Sequence, residues 1–435
     1  MTRNLSAWLA WQETLHLSSI DLGLTRVRQV AKNLDLLNLP FPVISVAGTN
    51  GKGSSTAMLQ SIYQQAGYKT GVYTSPHLLR YNERIAINNE YATDDAVCSA
   101  FEKINTARKE TSLTYFEFAT LAAVVLFVEE AIDIAIFEVG LGGRLDAVNL
   151  WDADIALITS IAIDHESWLG NNREDIAIEK AGIMRQGNPV ICGDKNPPTT
   201  IASEAQRIGA QLVQRNKDFS LTLPKASDKQ WFWHNEQQNQ TLALPLPNLK
   251  GVFQLDNAAN VVAVIQYLQH KVSVSLDAIQ QGLQTTTLIG RLQLISSCPE
   301  LLLDVAHNPH AAEQLALYLK THPVQGKTVA LFSVLVDKDL EGIVGPFTSL
   351  IDEWHIVNIE GERGQSAEDI KSKLEKISSK YTITLHNNFK KPTQELKNTL
   401  NCEDRVVAFG SFLVVSKVLE SVAKDSGLNN VRNLI

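Results

Sequence analysis

The sequence predicts an α/β protein of two domains, each built around a mostly parallel β-sheet. Three observations lead to this prediction. The chain has 435 residues, which is too long for one ordinary hydrophobic core. Short apolar runs, each stopped by glycine or polar residues, alternate with segments of helical periodicity. That alternation restarts after Gly290, so we place one domain at 1–288 and the second at 289–435.

The segment 46–55 joins a predicted buried strand at 42–46 to a predicted helix through a glycine-rich turn. Backbone N–H groups in such a turn converge on an anion, and the positive end of the following helix points at the same place. Lys52 would add a positive charge near the terminal phosphates of a nucleotide. The candidate phosphate-binding residues are consecutive in the sequence: Thr49, Asn50, Gly51, Lys52, Gly53 and Ser54.

This turn differs from the common P-loop, which has four residues between its first glycine and the Gly-Lys pair and then Ser or Thr. Here Gly48 and Gly51 enclose only two residues, and Gly53 follows Lys52, so a hydroxyl comes one position late at Ser54. A tight strand-to-helix turn without a ligand is the alternative. The strand on one side and the helix on the other favour nucleotide binding.

The remaining elements of the first domain are predicted from the same patterns. The helix after the turn has one apolar face and ends near Gly67. Strands are predicted at 69–73, 134–139, 155–159 and 189–192, and helices at 121–130, 254–270 and 276–284. The segment 219–247 is rich in Trp, Gln and Asn, and we predict an antiparallel hairpin extension there.

The second domain is predicted as another α/β unit. Its strand candidates alternate with helical segments and lie at 301–305, 328–332, 353–358, 382–385 and 406–409. Asn308 is predicted to cap a helix, and Pro309 to be its first residue. These structural roles explain why Asn and Pro occur here, so no function needs to be assigned to them. Asp304 and His307 stay unexplained, and Arg291 lies just upstream. We therefore expect a nucleotide to be approached from both domains.

Composition narrows the class of protein. The chain has 47 acidic and 39 basic residues, a net charge of −8, which argues against a nucleic-acid partner. Four cysteines without any C-x-x-C pair suggest neither a zinc site nor a disulfide framework, and so a reducing compartment. No signal-peptide pattern and no run of 18 apolar residues is present, so we expect a cytoplasmic enzyme with no membrane partner.

Polar residues at the ends of predicted strands indicate a metal site. Glu138 ends one apolar run, Asp164 and His165 follow the next, and Ser75 follows an earlier one. We expect the 134–139 and 155–159 strands to be adjacent, which would bring Glu138 and His165 to one edge of the sheet, where Mg²⁺ could bind. The alternatives are a satisfied buried acid at Glu138, a structural histidine, and a helix N-cap at Ser75.

Taken together, these segments resemble the folylpolyglutamate synthase and dihydrofolate synthase family, relatives of the Mur amino-acid ligases. Found together and in order, the motifs are specific to that family. The matching segments cover both domains and lie at 48–53, 73–78, 82–84, 138–146, 164–165, 179–183 and 304–310.

The resemblance implies an N-terminal P-loop domain of Mur-ligase type with a parallel sheet and a C-terminal Rossmann-like α/β domain. It implies ATP at the 49–54 loop, with further nucleotide contacts from Asn257, Arg291, Asp304 and His307. It also implies two Mg²⁺ ions. One would be held by Ser75, Glu138 and His165, and the other supported by a carbamylated Lys180, which the sequence alone would leave as a solvated helix residue. Four residues would be catalytic: Lys52, Glu138, His165 and Lys180.

Two further segments, at 21–26 and 113–117, are similar to the dihydropteroate-binding segments of the bifunctional bacterial members. The substrate-binding residues implied are Leu22, Gly23, Leu24, Tyr115, Phe116 and Asp146. Simple packing is the alternative for the apolar ones. The chain departs from the family at Ile289, where a proline is usual, and the binding residues are unaffected by that change.

The function implied is ATP-dependent addition of L-glutamate to dihydropteroate and to reduced folates through an acyl phosphate, a step of folate biosynthesis, by a monomer. One alternative is a Mur-type ligase acting on a nucleotide-linked cell-wall precursor. The other is a non-catalytic nucleotide switch, against which 216–218 lacks the spacing of a guanine-reading signature.

Overall fold

The computed structural model describes residues 3–18, 20–225, 228–361 and 363–425. The chain divides into two compact units. Unit 1 comprises the described residues up to Asn248 together with Gln254–Thr286. Unit 2 comprises Leu249–Phe253 and the described residues from Thr287 onward. Within the described residues, no helix combines the length and the apolar character that crossing a membrane requires.

Unit 1 alternates helices and strands along most of its length. Its helices are α1 (Leu5–Leu15), α2 (Thr25–Asn33), α3 (Lys52–Gln65), α4 (Asp94–Arg108), α5 (Tyr115–Glu129), α6 (Glu166–Leu169), α7 (Arg173–Ala181), α8 (Thr199–Ile208), α9 (Phe253–Leu268) and α10 (Leu276–Thr285). Its strands are β1 (Val43–Ala47), β2 (Thr70–Tyr73), β3 (Ile85–Ile87), β4 (Glu90–Tyr91), β5 (Ile134–Glu138), β6 (Ile155–Ile158), β7 (Pro189–Cys192), β8 (Gln211–Gln214), β9 (Phe219–Thr222), β10 (Gln230–Asn235) and β11 (Gln240–Pro245).

Eight of these strands form one sheet in the order β4-β3-β2-β5-β1-β6-β7-β8. The run from β2 to β8 is parallel, as predicted, and β3 and β4 add an antiparallel edge that the sequence did not predict. One expectation was wrong: β5 and β6 are not adjacent, because β1 lies between them. Glu138 and His165 therefore follow strands on opposite sides of β1.

Helix α5 is largely buried in unit 1. It is apolar on every side, so burial on all faces is expected, and residues Phe118 to Phe127 are buried. A capping box between Thr114 and Glu117 sets its start. The predicted helix began six residues later, at 121.

The 219–245 region is a three-stranded antiparallel sheet in the order β11-β10-β9, where a hairpin had been predicted. In β10 the side chains alternate between two faces: Trp231 and Trp233 are buried, while Phe232 is 41% exposed. The additional strand β9 pairs with one edge of β10, and β11 pairs with the opposite edge.

Unit 2 is a second α/β unit. Its helices are α11 (Pro309–Thr321), α12 (Leu340–Val344), α13 (Ala367–Ile377), α14 (Lys390–Thr399) and α15 (Phe412–Asp425), and its strands are β12 (Gln293–Ser297), β13 (Glu300–Leu303), β14 (Thr328–Phe332), β15 (Glu353–Val357), β16 (Thr382–His386) and β17 (Arg405–Phe409). The sheet order is β12-β13-β17-β14-β15-β16. The five predicted strands are all present and parallel. Strand β12, an antiparallel edge, was not predicted.

A disulfide joins Cys298 to Cys402, with the two Cα atoms 4.2 Å apart. The expectation of no disulfide was therefore wrong for this pair. The two cysteines are 104 residues apart in sequence and meet because β13 and β17 pair in parallel, with Glu300 opposite Arg405. The spacing of the cysteines in the sequence therefore does not predict this disulfide. Cys98 and Cys192 are free thiols.

Candidate functional site

The glycine-rich turn takes the form of a phosphate-binding loop. Gly51 caps α3 with a left-handed φ of 90°, so the helix begins at Lys52. A side chain at Gly51 would also place its Cβ atom 2.4 Å from Oδ1 of Asn257. Glycine is thus required by conformation and by close approach. No acidic residue occupies the first turn of α3, so its positive end is not offset by a local carboxylate.

The loop is held from the side by the residues that follow β6. The carbonyl oxygen of Asn50 accepts hydrogen bonds from Oγ1 of Thr159 at 2.7 Å and from Oγ of Ser160 at 3.0 Å. The N–H of Thr49 donates to the carbonyl oxygen of Ser160 at 2.7 Å. Sequence reasoning missed Thr159 and Ser160. Their signal was a pair of hydroxyls directly after an apolar run.

Asn257, predicted to bind the nucleotide, lies beside this loop. Its Nδ2 donates to Oε1 of Gln254 at 2.9 Å, and Nε2 of Gln254 donates to Oγ of Ser54 at 3.2 Å. Gln254 is completely buried, so this chain of bonds fixes the orientation of the Asn257 carboxamide. Gln254 was missed because a buried Gln on an apolar helix has no distinctive spacing.

Among the predicted metal ligands, Glu138 and Ser75 come from neighbouring strands. Glu138 is buried at the end of β5, and Ser75 follows β2, which pairs with β5. The N-cap alternative for Ser75 is wrong, because no helix begins at Pro76. His165 is exposed in the loop after β6 and caps α6 with a left-handed φ of 54°. In the described ranges, no three His, Cys, Asp or Glu side chains form a metal-binding group. The predicted ligand set, Ser75, Glu138 and His165, therefore needs the Ser75 hydroxyl as its third ligand.

Lys180 is buried in α7, with 3% of its surface exposed. The sequence-based view of a solvated helix residue was wrong, because α7 presents this position to the core. Burial and, to a smaller extent, the positive charge of Lys52 lower the pKa of the Lys180 amine to about 7, against the opposing effect of the Asp164 carboxylate. This environment therefore favours the neutral, nucleophilic form of the amine.

Asp146 is buried at the N-cap of a short 3₁₀ helix, Ala147–Leu150. Its carboxylate accepts hydrogen bonds from the N–H groups of Leu141 at 2.8 Å and Val148 at 3.0 Å. Burial raises the pKa of Asp146 to about 6, against those bonds and the nearby charge of Lys52. Phe116, another predicted substrate residue, lies 5.8 Å from the ring of Tyr73.

Arg84 is a buried cation next to these aromatic residues. Its guanidinium lies over the rings of Tyr81 and Tyr115, at 5.7 and 5.4 Å from their centres. Its Nε donates to Nδ1 of His77 at 2.9 Å, which requires a neutral imidazole; burial, aided by the Arg84 charge, lowers the pKa of His77 to about 4. Among the described residues no carboxylate lies within 4 Å of the guanidinium. Sequence reasoning quoted this arginine in a motif but gave it no role.

The predicted acceptor residues Leu22, Gly23 and Leu24 directly precede α2 and are half-buried. Three of the predicted acceptor residues also pack against the hydrophobic core: Leu24, Tyr115 and Phe116. Packing therefore explains in part why these side chains are apolar. It does not account for Gly23. A Cβ atom there would have no neighbour within 4 Å, and the φ of Gly23 is not left-handed. The fold itself therefore gives no reason for glycine at this position.

In unit 2 the predicted residues Arg291, Asp304 and His307 lie close together. Asp304 is buried and accepts from the N–H groups of Leu292 at 2.9 Å and Ala306 at 2.8 Å. Burial raises its pKa, and the charge of Arg291 opposes that shift. The ring of Phe412 lies 5.3 Å from the Arg291 guanidinium and 5.8 Å from the His307 ring. Phe412 was missed, because β13 and β17 meet only in the folded sheet.

Comparison with known proteins identifies two family models in the chain. Residues 46–265 match the Mur ligase middle domain, and residues 290–412 match the Mur ligase glutamate ligase domain. Together these matches cover the loop of unit 1 and the cluster around Asp304 in unit 2.

Full-length relatives are close. The chain is 41% identical over 97% of both chains to a dihydrofolate synthase/folylpolyglutamate synthase of Escherichia coli K12, and 40% identical to that of Haemophilus influenzae over 96% of this chain and 97% of the relative. The solved structure of E. coli FolC in complex with DHPP and ADP has a TM-score of 0.91 at 40% identity, covering 98% and 99% of the two chains.

A solved Yersinia pestis bifunctional folylpolyglutamate synthase/dihydrofolate synthase with Mn, AMPPNP and L-glutamate bound has a TM-score of 0.88 at 41% identity, covering 97% and 98%. The predictions of fold class, of an ATP-dependent ligase and of the family are therefore confirmed. The chain belongs to the dihydrofolate synthase/folylpolyglutamate synthase family of ATP-dependent ligases, within the Mur ligases.

Proposed function

We propose that this protein ligates L-glutamate to dihydropteroate and to reduced folates, using ATP bound at the 49–54 loop. The single observation that supports this most is the loop itself, in which the ammonium group of Lys52 lies along the turn that leads into the positive, N-terminal end of α3. Asn257 of unit 1 and three residues of unit 2 are the further ATP ligands: Arg291, Asp304 and His307. We also propose that the enzyme is a monomer and works in the cytoplasm.

A carboxylate is a poor electrophile, so the γ-phosphoryl group of ATP is first transferred to an oxygen of the acceptor carboxylate, giving an acyl phosphate and ADP. The glutamate amine then attacks the acyl carbon, a C–N bond forms, and the C–O bond to phosphate breaks. The amine loses a proton in this step. No covalent protein nucleophile is needed, so Lys52 acts by holding and neutralising the phosphates as charge shifts.

Ser75, Glu138 and His165 are the residues that would hold a Mg²⁺ ion. A hydroxyl, a buried carboxylate and a neutral imidazole suit a cation that keeps several waters and phosphate oxygens, and Glu138 and Ser75 sit at neighbouring strand ends. Bound Mg²⁺ supplies charge neutralisation of the transferred phosphoryl group. The low pKa of Lys180 suits carbamylation, since only the neutral amine combines with CO₂, and the resulting carboxylate would support a second ion.

The acceptor site in this proposal combines the segment before α2 with the start of α5. Leu22, Leu24, Tyr115 and Phe116 supply apolar surface, and the backbone at Gly23 allows close approach. The ring and amino N–H groups of a pterin are donors, and Asp146 is a carboxylate acceptor for them. Next to this acceptor surface, Arg84 provides a buried positive charge for a carboxylate of the glutamate substrate.

The test supplies ATP, Mg²⁺ and glutamate with either dihydropteroate or a reduced folate, and identifies products by mass while ADP release is followed. We expect dihydrofolate in the first case and an added glutamate in the second. A UDP-linked peptide with an amino acid serves as the cell-wall alternative. Extension of the folate without any product from dihydropteroate would leave a monofunctional enzyme, and turnover of the UDP-linked acceptor alone would overturn the proposal.

A further inference from the structure

The segment 20–24, just before α2, is tied to neighbouring elements by charged residues. Arg26, in the first turn of α2, donates from Nη1 to Oδ2 of Asp21 at 2.6 Å and from Nη2 to the carbonyl oxygen of Asp21 at 2.7 Å. The same guanidinium contacts Glu117, with Nη2 3.3 Å from Oε1. One arginine therefore joins the segment to the start of α5.

Glu117 fixes the N-terminus of α5. Its Oε2 accepts from the N–H of Thr114 at 2.8 Å and from Oγ1 of Thr114 at 2.9 Å, while its own N–H donates to Oγ1 of Thr114 at 3.2 Å. The Glu117 side chain is only 4% exposed. Tyr115 and Phe116 lie between these two residues, so the orientation of both rings depends on this capping box.

His16 provides a second connection. Its Nε2 lies 3.0 Å from Oδ2 of Asp21, and its Nδ1 lies 2.9 Å from Oγ of Ser112. The same oxygen of Asp21, Oδ2, is thus contacted by Nη1 of Arg26 and by Nε2 of His16. Both connections lead from the segment 20–24 to the chain that enters α5.

Apart from the packing of Leu24 against the core, the segment has few other contacts that hold it. It contains no regular secondary structure, Ile20 is exposed, and the four residues after it are half-buried. Its other hydrogen bonds in the described chain join it to its own flanks, from Ser18 to the carbonyl oxygen of Ile20 and from the N–H of Arg28 to that of Leu24. Contacts through Asp21 and Arg26 are therefore its main polar link to α5.

We propose that Asp21, Arg26 and Glu117 form a clamp that positions the segment 20–24 against Tyr115 and Phe116, so that the clamp sets the affinity for the pteroate acceptor. The inference rests on the proposed function, which assigns both parts to the acceptor site. Arg26 and Glu117 act through other residues and are positioning residues. A pair with one partner buried has a larger effect than an exposed surface pair.

The test compares Arg26→Ala with Arg28→Ala. Arg28 lies on the same helix, is exposed, and has no ion pair among the described residues, so it controls for loss of a charge on α2. We expect Arg26→Ala to raise KM for dihydropteroate about tenfold, with kcat within about twofold and KM for ATP unchanged. Arg28→Ala should leave all three constants unchanged, and Arg26→Lys, which keeps one donor for Asp21, should recover part of the affinity.

Asp21→Asn is the second variant, because Asp21 is 40% exposed and its loss leaves the buried Glu117 paired with Arg26. It should also raise KM for dihydropteroate, and the double variant Asp21→Asn with Arg26→Ala should raise it no further than Arg26→Ala alone. An unchanged KM in both single variants, or an equal rise in KM for ATP, would overturn the clamp. Wild-type protein without dihydropteroate-dependent ADP release would instead overturn the proposed function.

Discussion

The ammonium group of Lys52 donates a hydrogen bond to the carbonyl oxygen of Gly48 at 2.8 Å, so the lysine side chain lies along the loop that precedes its own helix. A second bond reaches the carbonyl oxygen of Thr49 at 3.2 Å. The charge of Lys52 is thus held against the loop, next to the N-terminal end of α3. A phosphate group at this place would meet both the lysine charge and the positive end of the helix.

We predict that Lys52→Ala abolishes turnover while the fold is retained. Loss of a positive charge aimed at the transferred phosphoryl group should cost at least about 100-fold in kcat. ADP release gives the rate, and thermal unfolding reports the fold. Lys32→Ala is the control, because Lys32 is exposed on α2. A Lys52→Ala enzyme with ordinary activity would contradict the assignment of the loop.

We predict that Gly23→Ala weakens acceptor binding without destabilising the protein. The added methyl group meets no protein atom within 4 Å, so unfolding should be unchanged or slightly harder, by up to about 1 kcal/mol. KM for dihydropteroate should rise, because the methyl group occupies space used by the ligand. Gly345→Ala is the matched control, since a Cβ atom there also meets nothing. An unchanged KM would exclude close approach of the acceptor at Gly23.

We predict that binding of the pteroate acceptor depends on the ionisation of Asp146. Burial raises the pKa of this carboxyl to about 6, so it is an acceptor-only carboxylate above that pH and becomes protonated below it. KM for dihydropteroate should therefore rise as the pH falls through about 6. KM for ATP serves as the internal control. Asp146→Asn should have a high KM at every pH, and a pH profile identical to wild type would contradict this role.

The sequence predicted what local patterns determine and missed what tertiary contacts determine. The loop at 48–53 and the start of α11 were predictable because glycine conformation and N-capping act over a few residues. The burial of Lys180 was not, since the residue carries a charge and only the packing of α7 decides its side. Arg84 and Phe412 were missed for a similar reason, because each gains its role from partners on other elements.

The metal ligands illustrate the same limit. Glu138 and Ser75 were expected at strand ends, which apolar runs indicate well. The neighbour relation between β5 and β6 was wrong because strand order is a property of the whole sheet. Strand β1 lies between β5 and β6, and nothing in the sequence of either strand indicates this.

We predict, finally, that Arg84 binds a carboxylate of glutamate. The acceptor carboxylate is consumed in the acyl phosphate, whereas the carboxylates of the incoming glutamate are unchanged by the reaction and can stay paired with this buried guanidinium. Arg84→Ala should raise KM for glutamate about 10-fold to 100-fold and leave KM for ATP unchanged, because charge-assisted bonds to a buried site are strong. Arg84→Lys should recover little, since an ammonium cannot stack on Tyr81 and Tyr115 in the same way. Arg80→Ala, an exposed arginine on the same segment, is the control. If KM for glutamate is the same in Arg84→Ala as in the wild type, Arg84 does not bind a glutamate carboxylate.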